Sequence, residues 1–340
     1  MRNDWISIPL EDLGTLRVQG PDATRFLQGQ LSNDLARLSP AHSLLAGYHN
    51  PQGRVIAFLR LVWLDAEDFL AILPRELASG VAARLSKFIL RAKVKIADES
   101  AAWHAAGLVG PQTCGVAQPR GIVQTSGVAL ASNLHGQTTQ GSSILVRVGT
   151  TPARWLSVTP ANSPMKESPD APRLIAGDRE TWHRLDIAAG QPQVFAATSE
   201  EFVAQMLNLD VLDAVAFDKG CFTGQEVIAR AHYRGRVKRR LQRFATRAPL
   251  KLTAGSAGRL NDGRPFKVVD AVQIEDGRCE FLAVAPLVSA EAEATEPEAT
   301  KPAATEPEAT EPEATERAPP QPTPPAVDAQ ALPLPYVLPE

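Results

Sequence analysis

Residues 217–226 (Phe-Asp-Lys-Gly-Cys-Phe-Thr-Gly-Gln-Glu) gather a thiol, two glycines, a lysine, a glutamine and a terminal carboxylate into ten positions. A core strand would alternate apolar residues instead. A core helix would carry Gly220 and Gly224 only at about 1 kcal/mol each against alanine. The two glycines therefore mark positive φ or a close approach of backbone to a ligand. Cys221 could be a small buried hydrophobe or a working thiol. Flanking glycines and nearby arginines, which stabilise a thiolate, favour the second reading. It has no cysteine neighbour to resolve a disulfide within its own loop. Lys219, Gln225 and Glu226 could be surface residues or could orient a ligand, with Glu226 expected just before an apolar strand.

The segment that follows is basic. Residues 227–261 contain no Asp or Glu but hold Arg230, Arg234, Arg236, Lys238, Arg239, Arg240, Arg243, Arg247, Lys251 and Arg259. Val227, Ile228, Val237, Leu241 and Phe244 punctuate the run, so it is expected to be ordered rather than a solvated tail. Arg230 and Arg234 could pair with Glu226 or with an anionic ligand. The overall charge of −3 conceals an asymmetry: residues 291–317 hold nine glutamates against Lys301 and Arg317, so the remainder is mildly basic. A basic ordered surface beside a glycine-rich thiol loop points to an anionic partner.

Lys219-Gly220-Cys221-Phe222-Thr223-Gly224-Gln225-Glu226, with Ala229-Arg230 and Tyr233-Arg234-Gly235 after it, resembles the signature of the YgfZ family of folate-binding proteins. That family is related to the T-protein, the aminomethyltransferase of the glycine cleavage system. The similarity extends to residues 26–34, 53–56, 208–210 and 334–336. The resemblance implies a T-protein-like α+β fold closed around a central channel, with a small C-terminal β-barrel. It also implies a tetrahydrofolate-binding protein that supports assembly or repair of iron–sulfur proteins, including tRNA-modifying enzymes. The implied cofactor is tetrahydrofolate or another reduced folate. The implied partners are iron–sulfur proteins or their assembly factors, with tRNA contact more indirect than direct. Trp182 matches a tryptophan implicated in the folate site, and Lys219, Gln225, Glu226, Arg230 and Arg234 become candidate folate contacts. Cys221 becomes the candidate functional thiol.

Two positions depart from relatives. Leu13 stands where some carry a second tryptophan. Ala57-Phe58 stand where the T-protein enzymes have an acidic pair, which argues against ordinary aminomethyl transfer. Two alternatives stay open: a folate-dependent aminomethyl or methyl transferase, and an RNA-binding module. Only Tyr233 and Phe244 in the basic stretch offer rings for base stacking.

The elements that must hold these residues follow from pattern. Pro21-Asp22-Ala23 opens a helix with Phe26, Leu27, Gln30 and Leu31 at helical spacing. Residues 16–20, 54–64, 69–73 and 94–96 read as strands. Residues 76–90 read as a helix with Leu77, Val81, Leu85 and Phe88 on one side. Residues 178–188 are helical, and Ser199 is expected to cap a helix running to Leu207. Beyond about residue 242 short strands alternate with Gly and Asp turns. The chain divides into a folate-binding α+β region, 1–240, and a β-barrel, 241–340. The barrel is interrupted at about 290–328 by a repeating Ala-Thr-Glu-Pro-Glu insert too charged and Pro-rich to bury a core. Residues 332–337 are apolar and expected to dock as a last strand. With 44% hydrophobic residues the 340-residue chain can fill such a core. No apolar run reaches the roughly 18 residues of a membrane helix. Cys114, Cys221 and Cys279 are far apart and odd in number. That disfavours a disulfide framework or a self-contained metal site and favours a reducing, cytoplasmic setting.

Overall fold

The computed structural model of the chain describes residues 5–110, 122–125, 128–131, 133–163, 174–235, 237–288 and 325–339. Cys114 and the acidic repeat lie outside them. Besides a small hairpin, Ile122–Thr125 with Val128–Ala131, the strands form three sheets. The first sheet is antiparallel, in the order Leu44–His49, Val55–Asp65, Asp68–Pro74, Leu13–Gln19, Lys95–Asp98. Its longest strand is apolar almost throughout because both of its faces are covered. Ala57, Leu59 and Leu61 face one core with helices α1 (Ala23–Gln30) and α2 (Arg75–Ser86). Phe58 and Val62 belong to cores on the opposite side. The two-residue period of a strand places Arg60 with the latter set.

The second sheet runs Gln137–Gln140, Ser143–Gly149, Arg154–Pro160, Trp103–Val109, Trp5–Pro9, Leu174–Ala176, with only the last pair parallel. It packs on the first sheet through Ile8, Leu10, Val146, Leu156, Leu70 and Ile72. Helix α3 (Arg179–Ala188) starts at Asp178, whose carboxylate accepts from the Thr181 N–H at 2.6 Å. Trp182 and Asp186, one turn apart on α3, are both buried.

The third sheet is antiparallel, in the order Ala257–Arg259, Pro265–Gln273, Cys279–Pro286, Arg239–Thr246, Ala329–Leu332. Phe244, Phe266 and Phe281 fill its inner face. Residues 325–327 exchange backbone hydrogen bonds with Arg259 at one edge, and Ala329–Leu332 pairs with the strand at the other. The expected barrel is thus a curled sheet whose two edges are spanned by one returning segment. Its final strand lies a few residues earlier than residues 332–337. Tyr336 still docks, donating to the Gly190 carbonyl at 2.7 Å.

Three expectations need correction. Residues 199–207 do not form a helix: Ser199 donates to the Ile56 carbonyl at 2.7 Å, Glu200 sits at φ 64°, and only Ala204–Leu207 makes a short 3-10 turn. Helix α2 ends at Ser86, leaving Phe88 51% exposed rather than in the core. The apolar strand expected after Glu226 is a helix, α4 (Gln225–Arg234). Among the described residues no helix is long and apolar enough to cross a membrane.

Candidate functional site

A cavity of about 50 Å³ lies between the first two sheets and α3. Its wall includes Leu13, Phe58, Arg60, Trp182, Asp186, Gln191 and Gln193. That volume has room for a few waters. One arginine, Arg60, and one carboxylate, Asp186, line it, and a second arginine, Arg154, backs the carboxylate. Arg154, 2% exposed, donates to Asp186 Oδ1 at 2.7 Å, and its guanidinium lies 4.9 Å from the Trp182 ring centroid. Arg60 donates from Nη1 to Ser43 Oγ at 3.1 Å and lies 3.1 Å from His135 Nδ1, while its Nη2 is buried without a hydrogen-bond partner. Burial lowers the Arg60 pKa to about 10; Asp186 opposes the shift and Arg154 adds to it. Burial also pushes His135 down to about 3, which leaves the ring neutral beside Arg60. An orphaned donor this deep costs free energy unless a ligand or water accepts from it.

The thiol loop is built differently. Gly224 sits at φ 81°, and a Cβ there would lie 2.6 Å from the Asn50 carbonyl oxygen and 2.9 Å from Gly53 Cα. Only glycine lets this loop lie on the turn at 50–53. Gly220 has open space around it and no positive φ, so the structure shows no such demand there. Lys219 donates to three carbonyls, of Gln28, Leu31 and Asn33, at 2.7, 2.6 and 2.9 Å. Those acceptors lie at and beyond the C-terminal end of α1 and use all three ammonium protons. Burial lowers the Lys219 pKa to about 8. Phe222 is buried next to His49, with ring centroids 6.2 Å apart. Burial pushes His49 down to about 4. Cys221 itself is exposed, whereas Cys279 is buried in the third sheet. On α4 only Ile228 is buried; Glu226, Arg230 and Arg234 are exposed, and Gln225 is half-buried.

The expected folate contacts therefore separate. Trp182 lines the cavity; Lys219, Gln225, Glu226, Arg230 and Arg234 belong to the loop and α4 and do not line it. Of the residues expected to differ from relatives, Leu13 and Phe58 line it, while Ala57 faces the core under α1 and α2. Sequence reasoning missed Arg60, Arg154 and Asp186. A signal for two of them was present. Arg60 interrupts an otherwise apolar strand, and Asp186 lies one helical turn after Trp182; charged residues at such positions are rarely buried without a purpose.

The chain is 31% identical over 275 residues to the tRNA-modifying protein YgfZ of Yersinia pseudotuberculosis serotype O:1b, covering 79% of this chain and 81% of the relative. It is 30% identical over 282 residues to the tRNA-modifying protein YgfZ of Pectobacterium carotovorum subsp. carotovorum, covering 82% of each. The chain belongs to the YgfZ family. Among solved structures it is similar to the glycine cleavage system aminomethyltransferase T from Bartonella henselae, with a TM-score of 0.60 at 16% identity, covering 84% of this chain and 79% of that one. At that identity the likeness shows the fold, and this YgfZ-family chain has the T-protein fold. No family model matches it.

Some of the segments expected to resemble the family are structural. Asn33 donates to the Leu45 and Asp213 carbonyls at 2.8 and 2.7 Å. Asp210 takes both terminal nitrogens of Arg240 at 3.0 Å, and Asn208 donates to the Leu241 carbonyl at 2.9 Å, so residues 208–210 anchor the third sheet. Other parts of the YgfZ-like sequence form the loop that presents Cys221 to solvent.

Proposed function

We propose that the protein binds a reduced folate in the central cavity and supports the assembly or repair of iron–sulfur proteins, among them enzymes that modify tRNA. The observation that carries this reading is the meeting of Trp182, Arg60 and Asp186 in one cavity of a T-protein fold. The lining fits a pterin in kind. The Arg60 side chain in the wall is a donor for a ring carbonyl, and the Asp186 carboxylate and the Gln191 and Gln193 amides are partners for ring N–H and amino groups. Trp182 and Phe58 supply the apolar walls that such sites use. A cavity of about 50 Å³ is smaller than a bicyclic pterin, so binding entails widening it. A bound reduced folate would supply one-carbon units or reducing equivalents; the chain's own part is to hold and orient it.

Phe58 also argues against ordinary aminomethyl transfer. Position 58 faces the cavity, and a phenylalanine there cannot accept a proton from, or position, a reacting amine. The Cys221 thiol, exposed outside the cavity, is the candidate contact to a client protein. The names of the YgfZ relatives support the link to tRNA modification, and a cytoplasmic setting goes with these clients. A titration with tetrahydrofolate, followed by intrinsic fluorescence, tests the reading. The wild type is expected to saturate in the low micromolar to millimolar range with a change in emission, and Trp182→Phe to lose that change. Absence of saturation in the wild type would sink it.

A further inference from the structure

The basic run after Glu226 splits into two populations. Arg240 pairs with Asp210 at 3.0 Å, Arg243 with Glu280 at 2.8 Å, and Arg247 with Asp328 at 3.8 Å. These cations are spent on carboxylates of the fold itself, Arg240 in the interior, Arg243 half-buried and Arg247 at the surface. Arg230, Arg234, Lys238 and Arg239 are exposed, and among the described residues none of them pairs with a carboxylate. Arg230 and Arg234 stand one turn apart on α4, and Lys238 and Arg239 follow that helix. The acids nearest in sequence are Asp218 and Glu226, both exposed, at the loop end of the helix.

Rings accompany the charges. Phe217 and His232 are stacked with centroids 3.7 Å apart and an interplanar angle of 14°. Tyr233 meets both edge-on, at 6.1 and 4.8 Å, and is 67% exposed. Phe217 is half-buried, and Val227 on the same helix is 40% exposed. A helix that buries one side chain and, with the segment that follows it, shows solvent four unpaired cations beside a ring cluster is not stabilised by that display. Such cations gain by neutralising a polyanion, and an open ring gains by stacking on an unpaired base.

We infer that the exposed face formed by α4 and the Lys238–Arg239 segment binds RNA directly, through phosphates at Arg230, Arg234, Lys238 and Arg239 and through an unstacked base at Tyr233. This goes beyond the folate reading and does not need it. The preferred ligand is RNA with unpaired nucleotides, because an acidic peptide would satisfy the cations but leave the rings without a planar partner. Cys221 lies four residues before α4, so RNA held here would sit close in sequence to the exposed thiol.

The test is a binding titration of the full chain against an unmodified tRNA transcript at several salt concentrations. Four phosphate contacts to single-stranded RNA predict a log–log salt slope of about −3, or roughly 50-fold weaker binding on going from 50 to 200 mM salt. The double variant Arg230→Gln/Arg234→Gln is expected to bind more weakly and to show about half that slope. Tyr233→Ala is expected to bind about tenfold more weakly with the slope unchanged. Tetrahydrofolate binding by these surface variants, unchanged from wild type where the wild type binds, shows that the fold and the cavity are intact; a melting curve serves the same check if folate binding is absent. No saturable tRNA binding at 50 mM salt, or variants indistinguishable from wild type, would overturn the inference. Poly-glutamate binding as tightly as the transcript would also overturn it, by making the face a dock for acidic protein.

Discussion

The central cavity and the thiol loop use charge in opposite ways. At the cavity, Arg60 and Asp186 of the wall and Arg154 behind Asp186 are stripped of water, so each needs a partner inside the protein and an unmet donor stands out. Around Cys221 the cations of α4 are hydrated and unpaired, and their cost to the fold is small. Both regions share a core: Phe58 of the cavity wall and Phe222 and Ile228 of the loop and α4 fall in one apolar cluster. Desolvated charge suits selection of a small polar ligand, and solvated charge suits reversible contact with a macromolecule. One fold thus offers an inner site and an outer one, joined through packed side chains.

The contrast can be broken most forcefully at Asp186. Asp186→Ala leaves Arg154 buried without its carboxylate and is expected to cost about 3–5 kcal/mol in chemical denaturation. Glu226→Ala on exposed α4 should stay within about 0.5 kcal/mol. Equal effects would erase the distinction between the two regions.

Acidification should sharpen it next. His49 packs against Phe222 and has its folded pKa depressed by burial from 6.5 to about 4. A depressed folded value means stability that is present above 6.5 and is lost as pH falls toward 4, because the unfolded chain binds a proton that the folded chain resists. The expected loss from this group is about 1.4 kcal/mol per pH unit in that window. The slope should lessen in His49→Gln, and an unchanged slope would mean that the ring is hydrated.

The two described cysteines give a smaller and more selective contrast. Cys279→Ser places a hydroxyl in an apolar interior and is expected to cost about 1–3 kcal/mol. Cys221→Ser, at an exposed position, should melt like wild type yet fail to restore an iron–sulfur enzyme in cells lacking the native protein. Full restoration would move the loop's role away from its thiol. The smallest effect belongs to deletion of residues 291–324, which carry no large apolar side chain. Loop closure entropy changes slowly with length, so the melting temperature should shift by no more than a few degrees. A larger drop would show that the segment packs on the body.

Much of the framework was legible from local pattern. Asp22 and Asp178 mark real helix starts, and the apolar runs near 54–64, 144–148 and 279–285 are strands. Helix α4 was missed because it buries only Ile228, so no 3.6-residue apolar period exists to be read. Ser199 misled because its hydroxyl serves a contact to Ile56, 143 residues away in sequence, instead of a cap. The outer site was visible as a motif because its residues are contiguous. The cavity was not, because Arg60, Arg154 and Asp186 come from two sheets and a helix and meet only through tertiary packing.

The most direct test of the inner site is calorimetric titration of tetrahydrofolate into three proteins: wild type, Arg60→Met and Tyr233→Ala. Methionine keeps much of the volume of Arg60 while removing the buried donor. Wild type and Tyr233→Ala should bind alike, and Arg60→Met at least about tenfold more weakly, the loss of a hydrogen bond from a charged group. Equal affinity in all three proteins, or weakening by Tyr233→Ala alone, would contradict a folate site in the cavity.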